Sequence, residues 1–213
     1  SLVSFGGILY FQANDGSSGV ELWRSDGTEP GTFKVVDIGP GAANGLSVSY
    51  PVVALSTGLW LAGDDGSTGL ELWRSDGTAS GTALLADLAG GPGNGRTVET
   101  RELVELGGRY LYAARDPLHG TEIWSTDGTP AGTAMLADLR PGVASSSPVR
   151  LARAGSRIYF FADDGAQGLE LWATNGTPGG TAMVADLVPG AGGLTVPLAE
   201  RGPFYRGPVT IEA

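Results

Sequence analysis

The chain has 213 residues, 23 acidic against 13 basic, and a formal net charge of −10, a sign that makes nucleic acid and anionic membrane poor partners. It contains no cysteine, which excludes disulfides, thiolate metal sites and thiol nucleophiles. Hydrophobic residues make up 41% of it, yet no run approaches the roughly 18 apolar residues of a membrane helix, so a packed core is expected and membrane insertion is not.

The opening, SLVSFGG, has neither the basic n-region nor the long apolar core of a signal peptide. An apolar run, ILYFQAND, follows at residues 8–15, then the link GSSG and the phrase ELWRSDGT at Glu21–Thr28. After the pair Gly31-Thr32 comes a second run, FKVVDI, then a Gly/Pro/Ser-rich link and the stretch PVVALS. The same succession returns three times. LWLAGDD, YLYAARD and IYFFADD take the place of the first run, and ALLADL, AMLADL and AMVADL that of the second. ELWRSDGT recurs letter for letter at Glu71–Thr78, as EIWSTDGT at Glu122–Thr129 and as ELWATNGT at Glu170–Thr177, with starts 50, 51 and 48 residues apart. A phrase that returns at a near-fixed period is first an architectural signal.

Each run is short, rich in β-branched and aromatic residues and bounded by turn residues, which predicts strands. No segment carries a sustained helical period with caps. Four strands per unit, four times over, predict an all-β fold: a β-propeller with four blades of about four antiparallel strands each. The units run near 6–56, 57–107, 108–154 and 155–199. The opening Leu2–Phe5 resembles the end of an inter-unit strand such as LVELGG at 103–108, and is expected to complete the last blade beside residues 181–187. Alternatively, residues 194–199 supply that strand and the chain is a segment of a larger ring. Residues 200–213 match no unit.

Within each unit Trp23, Trp73, Trp124 and Trp172 occupy one strand position and are expected to wedge neighbouring blades. Asp26, Asp76, Asp127 and Asn175 are expected to form hairpin turns with the glycine that follows each, and the next Gly-Thr pair to start the third strand. Asp15, Asp65, Asp116 and Asp164 end the first run, and Glu21, Glu71, Glu122 and Glu170 follow six residues later. These carboxylates have two readings: acceptors for backbone N–H groups in Gly-rich loops, or ligands of a hard cation such as Ca²⁺. The first is favoured, because neither loop matches a full calcium-binding pattern; no cofactor is required. Asp37, Asp87, Asp138 and Asp186 end the third strand and are read as turn residues.

No acid pair is unique in the way a glycosidase needs. His119, the single histidine, lies in a link and is read as a loop residue, so no acid–base constellation is visible and a non-enzymatic protein is expected. Trp60 stands where the other copies have Tyr10, Leu111 and Tyr159. It is either a core variation or a platform on which a sugar ring stacks.

With ELWRSDGTxxGT present in several copies, residues 1–199 resemble the ELWxxDGT repeat family of bacterial proteins. The resemblance implies a repetitive, propeller-like β-structure on secreted or cell-surface proteins, and implies no catalytic residues. The chain departs from the pattern at Ile123, Pro117 and Asn175. The reading that follows is an extracytoplasmic propeller module for binding or adhesion, with a carbohydrate or protein ligand. The alternatives are a structural subunit that assembles with further propeller segments and, third, a glycan-active hydrolase.

Overall fold

A computed structural model describes residues 1–88, 90–92 and 103–195. The tail at 200–213 and most of the alternative strand at 194–199 lie outside the described residues. The chain is all-β, with four four-stranded antiparallel sheets, each a propeller blade in which strands follow one another in chain order. The first holds β1 (Leu2–Phe5), β2 (Ile8–Asn14), β3 (Val20–Ser25) and β4 (Phe33–Val36). The second holds β5 (Val53–Leu55), β6 (Gly58–Gly63), β7 (Glu71–Ser75) and β8 (Ala83–Leu84). The third holds β9 (Val104–Leu106), β10 (Arg109–Asp116), β11 (Gly120–Thr126) and β12 (Ala134–Ala137). The fourth holds β13 (Val149–Ala154), β14 (Arg157–Asp163), β15 (Leu169–Thr174) and β16 (Ala182–Ala185). Among the described residues there is no α-helix, only a 3-10 turn at Pro178–Gly180.

The blades begin one strand earlier than the expected units. Leu2–Phe5, expected beside residues 181–187, pairs instead with Ile8–Asn14, Phe5 opposite Ile8. The fourth sheet draws all four of its strands from residues 149–185. The physical cause is the glycine pair between β1 and β2. Gly6 and Gly7 both have positive φ, +57° and +77°, the geometry of the tight two-residue hairpin turn that only such residues enter readily. Gly107 and Gly108 repeat it between β9 and β10. The Gly-Thr pair is a second correction: β4 starts at Phe33, β8 at Ala83, β12 at Ala134 and β16 at Ala182, so the pair belongs to the turn before the strand.

Two compact units divide the chain: Ser1–Arg101 with Ala114–Pro117 and Gly128–Pro130, and Glu102–Ala113 with Leu118–Asp127 and Ala131–Ala213. In the first unit, Tyr10, Leu22, Val35 and Ile38 of the first blade and its link form one apolar cluster with Leu46, Val52, Leu59 and Leu61. In the second, Val104, Leu111, Ile123 and Leu136 do the same with Leu151, Ile158, Phe160 and Trp172. A β-bulge serves each cluster. Opposite the consecutive residues Leu22 and Trp23 stand Val36 and Lys34, leaving Val35 as the extra residue of β4. Leu136 is extra in β12 and Val184 in β16 by the same register. An extra residue re-aims its side chain, and Val35 and Leu136 are buried.

Trp124 and Trp172 are buried, each 8% exposed, whereas Trp23 and Trp73 are only half-buried. The Trp172 indole N–H also donates to the Ala162 carbonyl at 3.1 Å. Trp124→Ala is therefore expected to destabilise the protein by about 3–5 kcal/mol, and Trp23→Ala by clearly less. Urea melts of both variants check the order; equal losses would show that burial does not set it.

Candidate functional site

The repeated carboxylates do two separate structural jobs. At the hairpin between β2 and β3, Asp15 Oδ1 accepts the backbone N–H groups of Ser17 and Ser18, both at 2.8 Å, and both serine hydroxyls donate to the same carboxylate. Asp65 does this for Ser67 and Thr68, and Asp164 for the N–H groups of Ala166 and Gln167. Asp116, half-buried at the end of β10, holds the same place ahead of the Pro117 link, where the proline removes the N–H that Gly16, Gly66 and Gly165 give to the residue before the cap. The residue before each cap also takes part: Asn14, Asp64 and Asp163 accept from Gly16, Gly66 and Gly165.

The four glutamates are wholly buried. Glu21 accepts from the N–H groups of Ile38, Gly39 and Gly45 at 2.9, 2.9 and 3.0 Å. Glu71 accepts from Leu88, Glu122 from Leu139 and Ser146, and Glu170 from Leu187 and Val188. The first acceptance falls 17 residues downstream in all four. Thus Asp15, Asp65 and Asp164 close their own hairpins, while the Glu six residues later in every copy clamps the link leaving the fourth strand. Among the described residues no group of three or more His, Cys, Asp or Glu is placed to hold a metal ion.

The DGTxxGT turn is a steric and hydrogen-bonded unit. Asp26 Oδ1 accepts from the Thr28 N–H and hydroxyl, Thr28 Oγ1 accepts from the Gly31 N–H, and the Thr32 hydroxyl donates to the Thr28 carbonyl. Asp76 and Asn175 repeat the first contacts with Thr78 and Thr177. A side chain on Gly31, Gly81, Gly132 or Gly180 would overlap the carboxyl or amide of Asp26, Asp76, Asp127 or Asn175, which explains the second glycine of the motif. Trp60 is completely buried, so its ring has no face to offer a ligand, and the sugar-platform expectation is overturned. It lies in β6, every residue of which is buried. His119 is half-buried in the turn between β10 and β11.

In the second unit, the loops of two neighbouring blades frame a cleft of about 420 Å³. The β9–β10 hairpin contributes Leu106, Gly107 and Arg109; the β13–β14 hairpin contributes Arg153 and Ser156; the turn after β15 contributes Asn175, Gly176 and Thr177. Two arginines and no acid line it, in a protein of net charge −10. Arg109 Nε and Nη2 donate to Ser125 Oγ at 3.2 and 2.8 Å, and Nη2 to the Gly132 carbonyl at 2.8 Å, so the side chain is fixed by its own blade. Arg153 is exposed and donates to the carbonyls of Gly155 and Glu105. Among the described residues neither guanidinium has a carboxylate partner.

Asn175 extends the pattern. Its Oδ1 is engaged by Thr177, as in the aspartate turns, but the turn carries no charge where Asp26, Asp76 and Asp127 carry one. Arg109 and Arg153 lie outside the repeated letters. By strand register Arg153 aligns with Ser4, Ala54 and Glu105, and Arg109 with Ile8, Gly58 and Arg157, so the signal for them is a charge present in only some copies.

No protein-family model and no curated protein matches the chain. Among solved structures, the chain is similar to the computationally designed Ika8 protein (17% identity, TM-score 0.43, covering 86% of this chain and 47% of that one). It is also similar to puromycin hydrolase (15%, 0.47, covering 87% and 27%). A third similarity is to an exo-beta-1,3-galactanase described as putative, from Bifidobacterium bifidum (12%, 0.37, covering 82% and 66%). The chain therefore spans about half or less of the length of the first two.

Burial and hydrogen bonding push the two carboxylate sets in opposite directions. Burial raises Asp65, but the Ser67 and Thr68 hydrogen bonds outweigh it and bring the group to about 2 from an ordinary 3.8. Asp15 is held well below the usual carboxylate range by the backbone N–H groups of Ser17 and Ser18. Glu21 and Glu122 are raised, burial being the largest cause. A lowered group contributes stability that is present above its ordinary value and lost as pH falls through its folded value. A raised acid has the opposite sign: its contribution is present below the ordinary 4.5 and lost as pH rises through the raised value. Asp65→Asn is thus expected to lose less stability than the parent between about pH 4 and pH 2; parallel acid limbs in denaturant melts would contradict this. Glu21→Ala, which strips the acceptor from three N–H groups, should cost about 3 kcal/mol. Glu21→Gln should cost less, since one oxygen remains but the amide N–H faces a donor. An Ala variant as stable as the parent would show that the link is held elsewhere.

Proposed function

We propose that the chain is a non-enzymatic propeller module of an extracytoplasmic, ELWxxDGT-type protein, and that it binds a carboxylate-bearing saccharide in the cleft of the second unit. The observation that carries this reading is the pair of guanidiniums without a carboxylate partner, gathered beside an uncharged Asn175 turn in an otherwise acidic chain. Guanidinium groups attract carboxylates by charge and through the N–H donors that the protein has not itself engaged. Ser156 and the Asn175 side-chain NH₂ add the hydroxyl and amide donors that a sugar engages, and Leu106 supplies an apolar patch for a ring face. The depression is open to solvent, and its space of about 420 Å³ admits one or two sugar rings. The non-enzymatic assignment draws support from the repeated acids: most are engaged by backbone N–H groups, and their repetition supplies no unique acid–base pair.

Titration with an oligogalacturonate tests the reading against its methyl-esterified counterpart. The charged oligomer is expected to bind and the neutral one not. Arg153→Ser, which installs the residue found at position 4 of the first blade, should weaken binding at least about tenfold. Equal binding of both oligomers, or an unchanged Arg153→Ser, would overturn it.

A further inference from the structure

Among the described residues the dipeptide Asn-Gly occurs twice, at Asn44-Gly45 and at Asn175-Gly176, and the fold treats the two in opposite ways. An asparagine side chain is open to attack at Cγ by the backbone nitrogen of the next residue, and glycine, with no side chain, obstructs that approach least. What decides the outcome is where the amide points and what holds the attacking nitrogen. Asn44 Oδ1 accepts from the Val20 N–H at 2.9 Å, so this amide is turned toward another strand. The Gly45 nitrogen is buried and donates to the Glu21 carboxylate at 3.0 Å. Taking a proton from a nitrogen held against a carboxylate would bring two negative charges together.

At Asn175 each of these conditions is reversed. Oδ1 accepts from the Thr177 hydroxyl at 2.7 Å and from the Thr177 N–H at 3.1 Å, which folds the side chain back over the Gly176 peptide that lies between them. Both donors draw charge from Cγ and stabilise the negative charge that builds on Oδ1 when Cγ is attacked. The Gly176 nitrogen donates to a neutral group, the Thr174 hydroxyl, at 3.0 Å. Asn175 is exposed, so water reaches it. Arg109 and Arg153 line the same cleft and favour negative charge there.

We propose that Asn175 is a self-modifying site, and that its conversion to an acid switches the cleft off; the second half rests on the saccharide reading above. The Gly176 nitrogen gives its proton to solvent and bonds to Asn175 Cγ. The Cγ–Nδ2 bond breaks, and Nδ2 takes a proton from solvent and leaves as ammonia. Water then opens the cyclic imide that results. Opening at Cγ restores the main chain and leaves aspartate, while opening at the main-chain carbonyl carbon of residue 175 leaves isoaspartate. Either product carries a carboxylate where an amide stood. The aspartate product is one that the blade already accommodates. Asp26 and Asp76 accept from the Thr28 and Thr78 hydroxyls at 2.7 Å and from their N–H groups at 2.9 Å, as Asn175 does from Thr177. The turn therefore survives, while the new carboxylate gives Arg109 and Arg153 the opposite charge that a bound saccharide would otherwise supply.

The full chain, compared fresh and after long incubation in mildly alkaline buffer, tests both halves. Peptide masses are expected to show conversion of amide to acid at Asn175 while Asn44 keeps its amide. Oligogalacturonate binding should weaken in step with that conversion, and Asn175→Asp should bind at least about tenfold more weakly than the fresh parent. Its circular dichroism should match the parent's; a variant that unfolds would show that the turn rejects aspartate and overturns the switch. Asn175→Ser has no amide to lose and should keep its own starting affinity throughout. That constancy separates Asn175 from Asn94, which lies outside the described residues; a loss in this variant as large as the parent's overturns the switch. An Asn175 amide that persists, or that converts no faster than Asn44, overturns the modification. Conversion without loss of binding again overturns the switch. A fresh parent that binds no oligogalacturonate sinks the saccharide reading and the switch with it, while the peptide masses judge the modification by themselves.

Discussion

A glutamate buried without a cationic partner is expensive unless its oxygens are filled with donors, and this fold is organised around paying that cost four times. Glu21, Glu71, Glu122 and Glu170 open the ELW or EIW phrase, and each is closed off from solvent. Each accepts from the backbone N–H 17 residues later, where the Gly/Pro/Ser-rich link begins. The exchange is mutual, because a link of this composition has N–H groups to satisfy and the glutamate has none to give. Where the link is held this way, it is delivered to the next blade. Gly45 lies against the Glu21 carboxylate, its carbonyl accepts from Asp64 of the second blade, and a side chain there would overlap the carboxylate. The repeated Glu is therefore a joint between blades as much as a member of one strand.

The aspartates solve a different problem with the same functional group. They close hairpins locally, two or three residues ahead, near solvent, where a lowered pKa keeps them charged. The Glu joint sits where burial pulls the other way. Two carboxylates six residues apart thus work in different dielectric surroundings and on different segments. Their fixed spacing matches the length of one hairpin.

The architecture was legible in the letters because one blade cannot cover its own faces, so the sequence must repeat the unit that stacks. Strand number per blade and the turn role of Asp26, Asp76 and Asn175 follow from local chemistry and were visible. The phase of the blades was less so. SLVSFGG reads equally as the close of a unit or the opening of one, and only the paired positive φ of Gly6 and Gly7 decides that β1 folds back onto β2. The burial of Trp60 was ambiguous for a similar reason: LWLAG is apolar on both parities, which fits a strand covered on both faces but does not name the covering residues. The glycine of the Gly-Thr pair was misplaced because its job is steric; it clears space for the Asp26 carboxylate five residues earlier, a contact no strand pattern encodes.

The cleft was hidden by the regularity that revealed the fold. Aligning four copies rewards letters that recur, and a recurring letter in a repeat protein is explained by the blade. Arg153 takes a strand position that Ser4, Ala54 and Glu105 hold elsewhere, and Asn175 replaces an aspartate without disturbing the Thr177 contacts that build the turn. Both changes leave the blade geometry intact while shifting the local charge in the same direction. A substitution that the turn does not require, beside a cation that the strand does not require, is where a scaffold of near-identical parts acquires one distinct surface.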